Sequence, residues 1–148
     1  MATMKGGEKV VERLKQIARS IGNGGTLRVG WLEGSTYPDG KPTAMIAAIT
    51  EFGAPSRGQP PRPAFRNMIA DKQDEWPAAI AVLLKDNDYD AAKTLDIAGF
   101  AIAGQLKQSI VDITSPTLAD STIARKGFSK PWIESGHALQ SVDHEVKS

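Results

Sequence analysis

Residues 51–66 have the sequence EFGAPSRGQPPRPAFR and connect two segments with helical character. Four of the nine prolines of the chain lie in this connection, which we call the crossing. Proline fixes the backbone angle φ, and the PPRP run at residues 60–63 favours an extended backbone. We therefore predict a rigid crossing that ends where a helix begins at Pro63, since proline is favoured at the first helical position.

Two elements are predicted before the crossing is reached. An amphipathic helix ends at the glycine-rich turn 22–25, and its apolar positions are Val10, Val11, Leu14, Ile17, Ala18 and Ile21. Residues 26–33, TLRVGWLE, predict a strand in which Gly30 marks a bulge or a close backbone approach. The same face of this strand carries Leu27, Val29 and Trp31.

The short segment that enters the crossing predicts a helix that Thr43 caps and Gly53 ends. A second strand is the alternative here, because the run is short and rich in alanine. After the crossing, the helix from Pro63 meets Pro77, where we expect a kink or a break because an interior proline costs about 3 kcal/mol. The apolar side of this helix is formed by Phe65, Met68, Ile69 and Trp76, with the stem of Lys72.

A long helix is predicted over residues 91–112, with a length of roughly 30 Å. Its buried stripe comprises Leu95, Ala98, Ile102, Leu106 and Ile113. A second set of small residues would let another helix approach closely, namely Gly99, Ala101, Ala103 and Gly104. Residues 141–146 predict a polar edge strand at the end of the chain.

These elements predict one α+β domain over residues 1–148. We expect a small antiparallel sheet packed against two or three helices, including one long helix, with extended loops. The 18 basic and 17 acidic residues give a net charge of +1, which disfavours a dedicated nucleic-acid binder. The chain has no cysteine, and its longest apolar run is too short to cross a bilayer, so we expect a soluble protein.

The residues that could carry chemistry do not form a recognisable catalytic or metal site. Ser135 and His137 lack an acidic residue at a spacing that would orient the imidazole. The acidic run 86–90 resembles the start of a calcium loop, but Ala91 replaces the required glycine and Ile97 the bidentate glutamate. We predict an acidic turn whose last residue, Asp90, caps the long helix, and we predict no enzyme, no cofactor and no metal.

The spacing Arg57-x-x-Pro60-x-x-Pro63 also matches a ligand of SH3 domains. Such a ligand must be a free extended peptide, whereas Pro63 is predicted to start a helix. We therefore interpret the crossing as a structural connector with a role in an interface.

Three motifs, taken in order, resemble one protein family. Residues 44–53 (AMIAAITEFG) lead into 60–66 (PPRPAFR), and residues 121–127 (STIARKG) follow. Residues 131–142 (PWIESGHALQSV) are similar to a P-L-I-D-T-G-x-L-x-x-S-I ending, with Trp132 in place of leucine. The set resembles the tail-completion, or head–tail joining, proteins of tailed bacteriophages.

This resemblance implies a virion protein without catalytic activity, assembled in the host cytoplasm and located in the neck or tail. Copies would form a ring, expected to be a hexamer, that joins the head connector or a portal-proximal protein to the tail tube or its terminator. Genomic DNA would pass through the lumen without sequence-specific binding. The residue types that dominate interfaces indicate the contact residues: Phe52, Arg57, Pro60, Pro61, Arg62, Pro63, Phe65, Arg66 and Trp132.

Two alternatives remain open at this point. Within the same class, the protein could be a tail-tube terminator or a portal-proximal connector. From another class, it could be a small DNA-binding protein of a mobile element, which would need the arginines of the crossing to share one basic face with Arg125, Lys126 and Lys130.

Overall fold

The computed structural model of the protein describes residues 5–113 and 137–147. The helices are α1 (Gly7–Gly22), α2 (Thr43–Phe52), α3 (Ala64–Lys72), α4 (Trp76–Asp86), α5 (Ala91–Asp112) and the single turn α6 (His137–Gln140). The strands are β1 (Thr26–Trp31) and β2 (Val142–Lys147), which form an antiparallel pair. The predicted α+β class is confirmed, because this small sheet packs against the long helix α5.

The sheet pairs the strand that follows α1 with the last described strand of the chain. Its register pairs Leu27 with Val146 and Trp31 with Val142. The indole N–H of Trp31 donates a hydrogen bond of 2.9 Å to the carbonyl of Ala138, which fixes α6 beside the sheet. Pairing along β1 is continuous, so Gly30 does not mark a bulge; instead, a Cβ on Gly30 would lie 3.3 Å from the ring of Phe65.

Helix α5 has the predicted bounds, and its start is defined by a side chain. The carboxylate of Asp90 accepts a hydrogen bond of 3.1 Å from the backbone N–H of Lys93, as predicted for the acidic turn. Leu106 and Ile110 are fully buried, while Leu95 and Ile102 of the predicted stripe are only half-buried. The core that forms around α5 comprises Ala47, Ala64, Met68, Ala103, Leu106, Ile110, Ile113, Ala138 and Val142.

Gly99, one of the small residues of α5, has a different neighbour from the one predicted. A Cβ on Gly99 would lie 2.5 Å from the ring of His144 and 2.6 Å from the side chain of Leu27. The element that approaches closely at Gly99 is therefore the sheet and not another helix. Gly104 is exposed, and a Cβ there would meet nothing within 4 Å.

The break predicted near Pro77 is present. Helix α3 ends at Lys72, a 3-10 turn spans Gln73–Glu75, and α4 then begins at Trp76. Pro77 lies in the first turn of α4, where its missing N–H costs no helical hydrogen bond.

Helix α1 forms as predicted but lies outside the core. None of its residues is buried, and of its apolar positions only Ile17 is half-buried while the others are exposed. Arg13 attaches it to the rest of the domain through an ion pair with Asp88 and a contact of 5.8 Å with the ring of Tyr89. Among the described residues, no helix combines the length and apolar character needed to cross a membrane.

The contrast between two glycines of α5 gives a stability prediction. We expect Gly99→Ala to lower the free energy of unfolding by about 1–3 kcal/mol, because the added methyl group must displace His144 or Leu27. Gly104→Ala in the same helix should raise it by about 0.5–1 kcal/mol, because alanine favours the helix and meets no neighbour. Urea denaturation at low protein concentration measures both, and equal effects would contradict close packing of the sheet on Gly99.

Candidate functional site

The crossing is a closed loop whose two ends are joined. Helix α2 ends at Phe52 and is followed by Gly53, which has a positive φ of 79° and whose Cβ position would lie only 2.7 Å from the backbone of Pro61. A 3-10 turn follows at Pro55–Arg57. Ala54 and Gln59 then exchange two backbone hydrogen bonds, of 2.8 and 3.1 Å, so the loop doubles back on itself. Glycine is required at position 53, because any side chain would collide with the returning backbone.

A buried carboxylate joins the two ends. The side chain of Glu51 accepts hydrogen bonds from the backbone N–H groups of Phe65 (3.0 Å) and Arg66 (2.9 Å). The Nε of Arg66 also donates to this carboxylate at 3.2 Å, and its Nη2 donates to the Glu51 carbonyl at 2.9 Å. Glu51 is only 5% exposed, so these bonds are largely shielded from water.

Glu51 performs the capping role that the sequence next to α3 cannot. The prediction that this helix begins at Pro63 is wrong by one residue: it begins at Ala64, and the Pro63 carbonyl accepts its first helical bond from Asn67. Proline at this position has no side chain that can accept a hydrogen bond from the first turn. A carboxylate from α2 satisfies two free N–H groups and places negative charge at the positive end of the helix dipole.

Sequence reasoning assigned no role to Glu51. The available signal was an acidic residue before the crossing, combined with a helix whose preceding residue, Pro63, lacks a capping side chain. That combination indicates a missing acceptor, but it does not identify which distant side chain supplies it.

The outer surface of the crossing carries an aromatic ring and two arginines. Phe52 is 63% exposed, and the guanidinium of Arg66 lies 4.9 Å from the centre of its ring. Beside this pair is an apolar cavity of about 230 Å³, lined by Trp31, Ala44, Ala47, Ala48, Glu51, Phe52, Phe65 and Arg66. Arg57, Pro60 and Pro61 are exposed on the loop that follows α2. We call Phe52, Arg57, Pro60, Pro61 and Arg66 the crossing surface.

Two residues predicted as contacts lie beneath this surface. Arg62 is only 6% exposed; its backbone N–H donates to the Thr50 carbonyl at 2.9 Å, and burial lowers the pKa of its guanidinium. Phe65 is half-buried, and its ring centre lies 6.2 Å from that of Trp31. Both side chains support the crossing surface from the inside.

The two remaining predicted contact residues add no exposed position. Pro63 is half-buried immediately before α3. Trp132 lies outside the described residues, as do the motif at residues 121–127 and the first six residues of the motif at 131–142.

A cluster of hydroxyl groups and a histidine lies at the start of α2. The prediction that Thr43 caps this helix is wrong, because Pro42 occupies the cap position and Thr43 is the first helical residue. The Thr43 hydroxyl accepts a hydrogen bond of 2.9 Å from Ser35 and lies 3.3 Å from Nε2 of His137. Thr43 is fully buried, so this cluster joins the loop before α2 to α6 and offers no exposed nucleophile. Among the described residues, no group of three or more potential ligands could hold a metal ion.

Comparison with known proteins identifies no relative. The chain matches no protein-family model, no curated protein and no solved structure. The resemblance to phage neck proteins therefore depends on the quoted motifs, of which the structure describes residues 44–53 and 60–66 completely. These two motifs form most of α2 and the second half of the crossing, so the residues that carry the resemblance include every residue of the crossing surface except Arg57.

Because the Glu51 cap is buried, a substitution that removes only its charge should have a large effect on stability. We expect Glu51→Gln to lower the free energy of unfolding by about 1–3 kcal/mol, because the neutral amide presents only one acceptor oxygen to three donors. Urea denaturation measures this loss. Glu75→Gln is the matched control: its carboxylate is exposed and lies 3.9 Å from Lys72, so the expected change is within about 0.5 kcal/mol. Equal losses in the two variants would contradict the capping role.

Proposed function

We propose that this chain is a structural subunit of the neck or tail of a tailed bacteriophage. Copies assemble into a ring, with six as the expected number, that joins the head connector to the end of the tail tube. The genome passes through the lumen of the ring without sequence-specific binding. The observation that carries this proposal is the crossing surface, an exposed aromatic and arginine patch held in shape by the buried Glu51 carboxylate.

The rigidity of the crossing supports a role in assembly. Docking of a flexible loop costs conformational entropy, which reduces the affinity of the contact. Here, Gly53, the paired residues Ala54 and Gln59, and the Glu51 cap fix the loop before any partner arrives. The surface therefore offers Phe52 and Arg57, residue types that dominate protein interfaces, without a large ordering cost.

The charge of the protein supports passage of DNA more than binding of DNA. A near-neutral net charge of +1 provides little of the counterion release that drives binding to the phosphate backbone. The alternative of a DNA-binding protein requires the arginines of the crossing on one basic face, but Arg62 is buried. Arg66 is in turn engaged by Glu51, which neutralises its charge.

The proposal is tested by light scattering and negative-stain imaging of the purified protein, alone and mixed with tail tubes from the phage that encodes it. We expect rings, either free or bound to one end of the tubes. The same imaging with heads in place of tubes identifies a portal-proximal connector, which would bind heads and not tubes. A protein that stays monomeric and never binds tubes or heads would exclude the whole class.

A paired substitution tests the crossing surface directly. We expect Phe52→Ser combined with Arg57→Glu to weaken the binding of the crossing surface to its partner by about 2 kcal/mol or more, which is roughly a 30-fold loss of affinity. Phage that depend on this variant should release separate heads and tails, counted by electron microscopy and plaque titre. Val82→Ser on α4 is the control, because Val82 is similarly exposed but lies on a different helix. A normal titre from the paired variant would contradict an assembly role of the crossing surface.

A further inference from the structure

Helix α1 presents an apolar surface that its own domain does not cover. The side chains of Val10, Val11, Leu14 and Ile21 are between 46% and 59% exposed. We call these four residues the α1 stripe. A contiguous apolar face on a soluble helix usually covers a core or a partner. The domain core contains no residue of α1, so a partner is the remaining explanation within the described part of the chain.

A groove of about 530 Å³ lies between α3 and the C-terminal half of α5. We call it the α3–α5 groove; its lining includes Met68, Asp71, Ala101, Gly104, Asp112 and Ile113. Met68 is buried and forms an apolar base. Ala101 and Gly104 leave one end of the α5 side open, while polar residues such as Gln105 and Gln108 line the rest of it. Small residues of this kind let a second helix approach to the short distances of close helix packing.

The α1 stripe and the α3–α5 groove match in length. The stripe extends from Val10 to Ile21, which is about 17 Å along a helix at 1.5 Å per residue. The α5 side of the groove extends from Ala101 to Ile113, which is about 18 Å by the same rule. A helix docked along the groove could therefore cover the stripe over its whole length.

The charges of the two surfaces are also complementary. The groove carries the carboxylates of Asp71 and Asp112, while its one lysine, Lys72, forms an ion pair with Glu75. Helix α1 displays Lys9 and Lys15 on its exposed surface. Of its two acidic residues, Glu12 is paired with Arg19, which leaves Glu8. Opposite charges beside an apolar contact steer association and disfavour other orientations.

The position of α1 on its own domain points to a second copy as the source of the docked helix. Arg13 is paired with Asp88, and Gly24 lies against Ala91, so α1 is held at the N-terminal end of α5. The groove lies along the opposite half of the same helix. No residue of α1 is among those that line it.

We propose that α1 of one copy docks in the α3–α5 groove of the next copy. The two surfaces are different patches of one chain, so the contact is heterologous, the type that builds closed rings or open helices. This inference deepens the proposed ring and depends on its self-association. It assigns the subunit–subunit contact to α1 and the groove, and leaves the crossing surface for the head or tail partner.

Two single variants and their mixture test the docking. Leu14→Glu places a charge in the α1 stripe, and Gly104→Trp fills the groove at a position where an added Cβ meets nothing. Each variant alone should raise the dissociation constant for self-association by roughly 30-fold or more. An equimolar mixture should form heterodimers, because α1 of the groove variant can still dock in the intact groove of the stripe variant. Sedimentation velocity over a concentration series measures both results.

Controls separate docking from folding. Val82→Glu on α4 should leave self-association unchanged, and circular dichroism checks that every variant keeps its helical content. If Gly104→Trp fails to fold, Asp71→Lys replaces it, because that charge reversal lies on the exposed part of the groove. Asp71→Lys must then form heterodimers with Leu14→Glu but must not form homodimers.

The possible failures are distinguishable. A wild-type protein that forms rings insensitive to both variants would overturn this docking but leave the proposed function standing. Loss of rings with Leu14→Glu alone, with no heterodimer in the mixture, would show that α1 binds another surface and would also overturn it. Binding of α1 to anionic vesicles without self-association would also overturn the docking of α1 in the groove. A wild-type protein that associates neither with itself nor with tail tubes would overturn both proposals.

Discussion

The buried carboxylate of Glu51 connects the two halves of the domain across the crossing. Without it, the first turn of α3 would keep two unpaired N–H groups in a region that water reaches poorly, because Pro63 cannot cap the helix. An unpaired buried N–H group costs about 1–3 kcal/mol, which is a large share of the total stability of a domain of this size. This connection holds α2 against the start of α3, where the ring of Phe65 lies 6.2 Å from that of the sheet residue Trp31.

Local signals in the sequence are sufficient to predict part of the fold. The bounds of α5 follow from Asp90 as a cap and from the apolar spacing after it, and the break before α4 follows from Pro77. Interactions between distant residues could not be predicted in this way. The burial of Arg62, the contact of Gly99 with the sheet and the capping by Glu51 all depend on which segments meet in space.

Helices α1 and α5 show why apolar spacing alone does not identify a core. Both have apolar residues at helical intervals, yet α5 supplies the centre of the domain while α1 buries no residue. Hydrophobic periodicity indicates that a helix face prefers to leave water, and it does not specify whether the cover is the same chain or another one. For the crossing, the same limit applies to residue type: Arg57 and Arg62 look equivalent in sequence, but only Arg57 is exposed.

The crossing also differs from the sheet in the order in which it can form. Glu51 and Arg66 are 15 residues apart in the chain, whereas the contact of Trp31 with Ala138 spans 107 residues. Short loops close faster and at a lower entropic cost than long ones. During synthesis, all residues of the crossing are made well before those of β2. The nascent chain can therefore close the crossing, which carries Phe52 and Arg57, while only one strand of the sheet has been made.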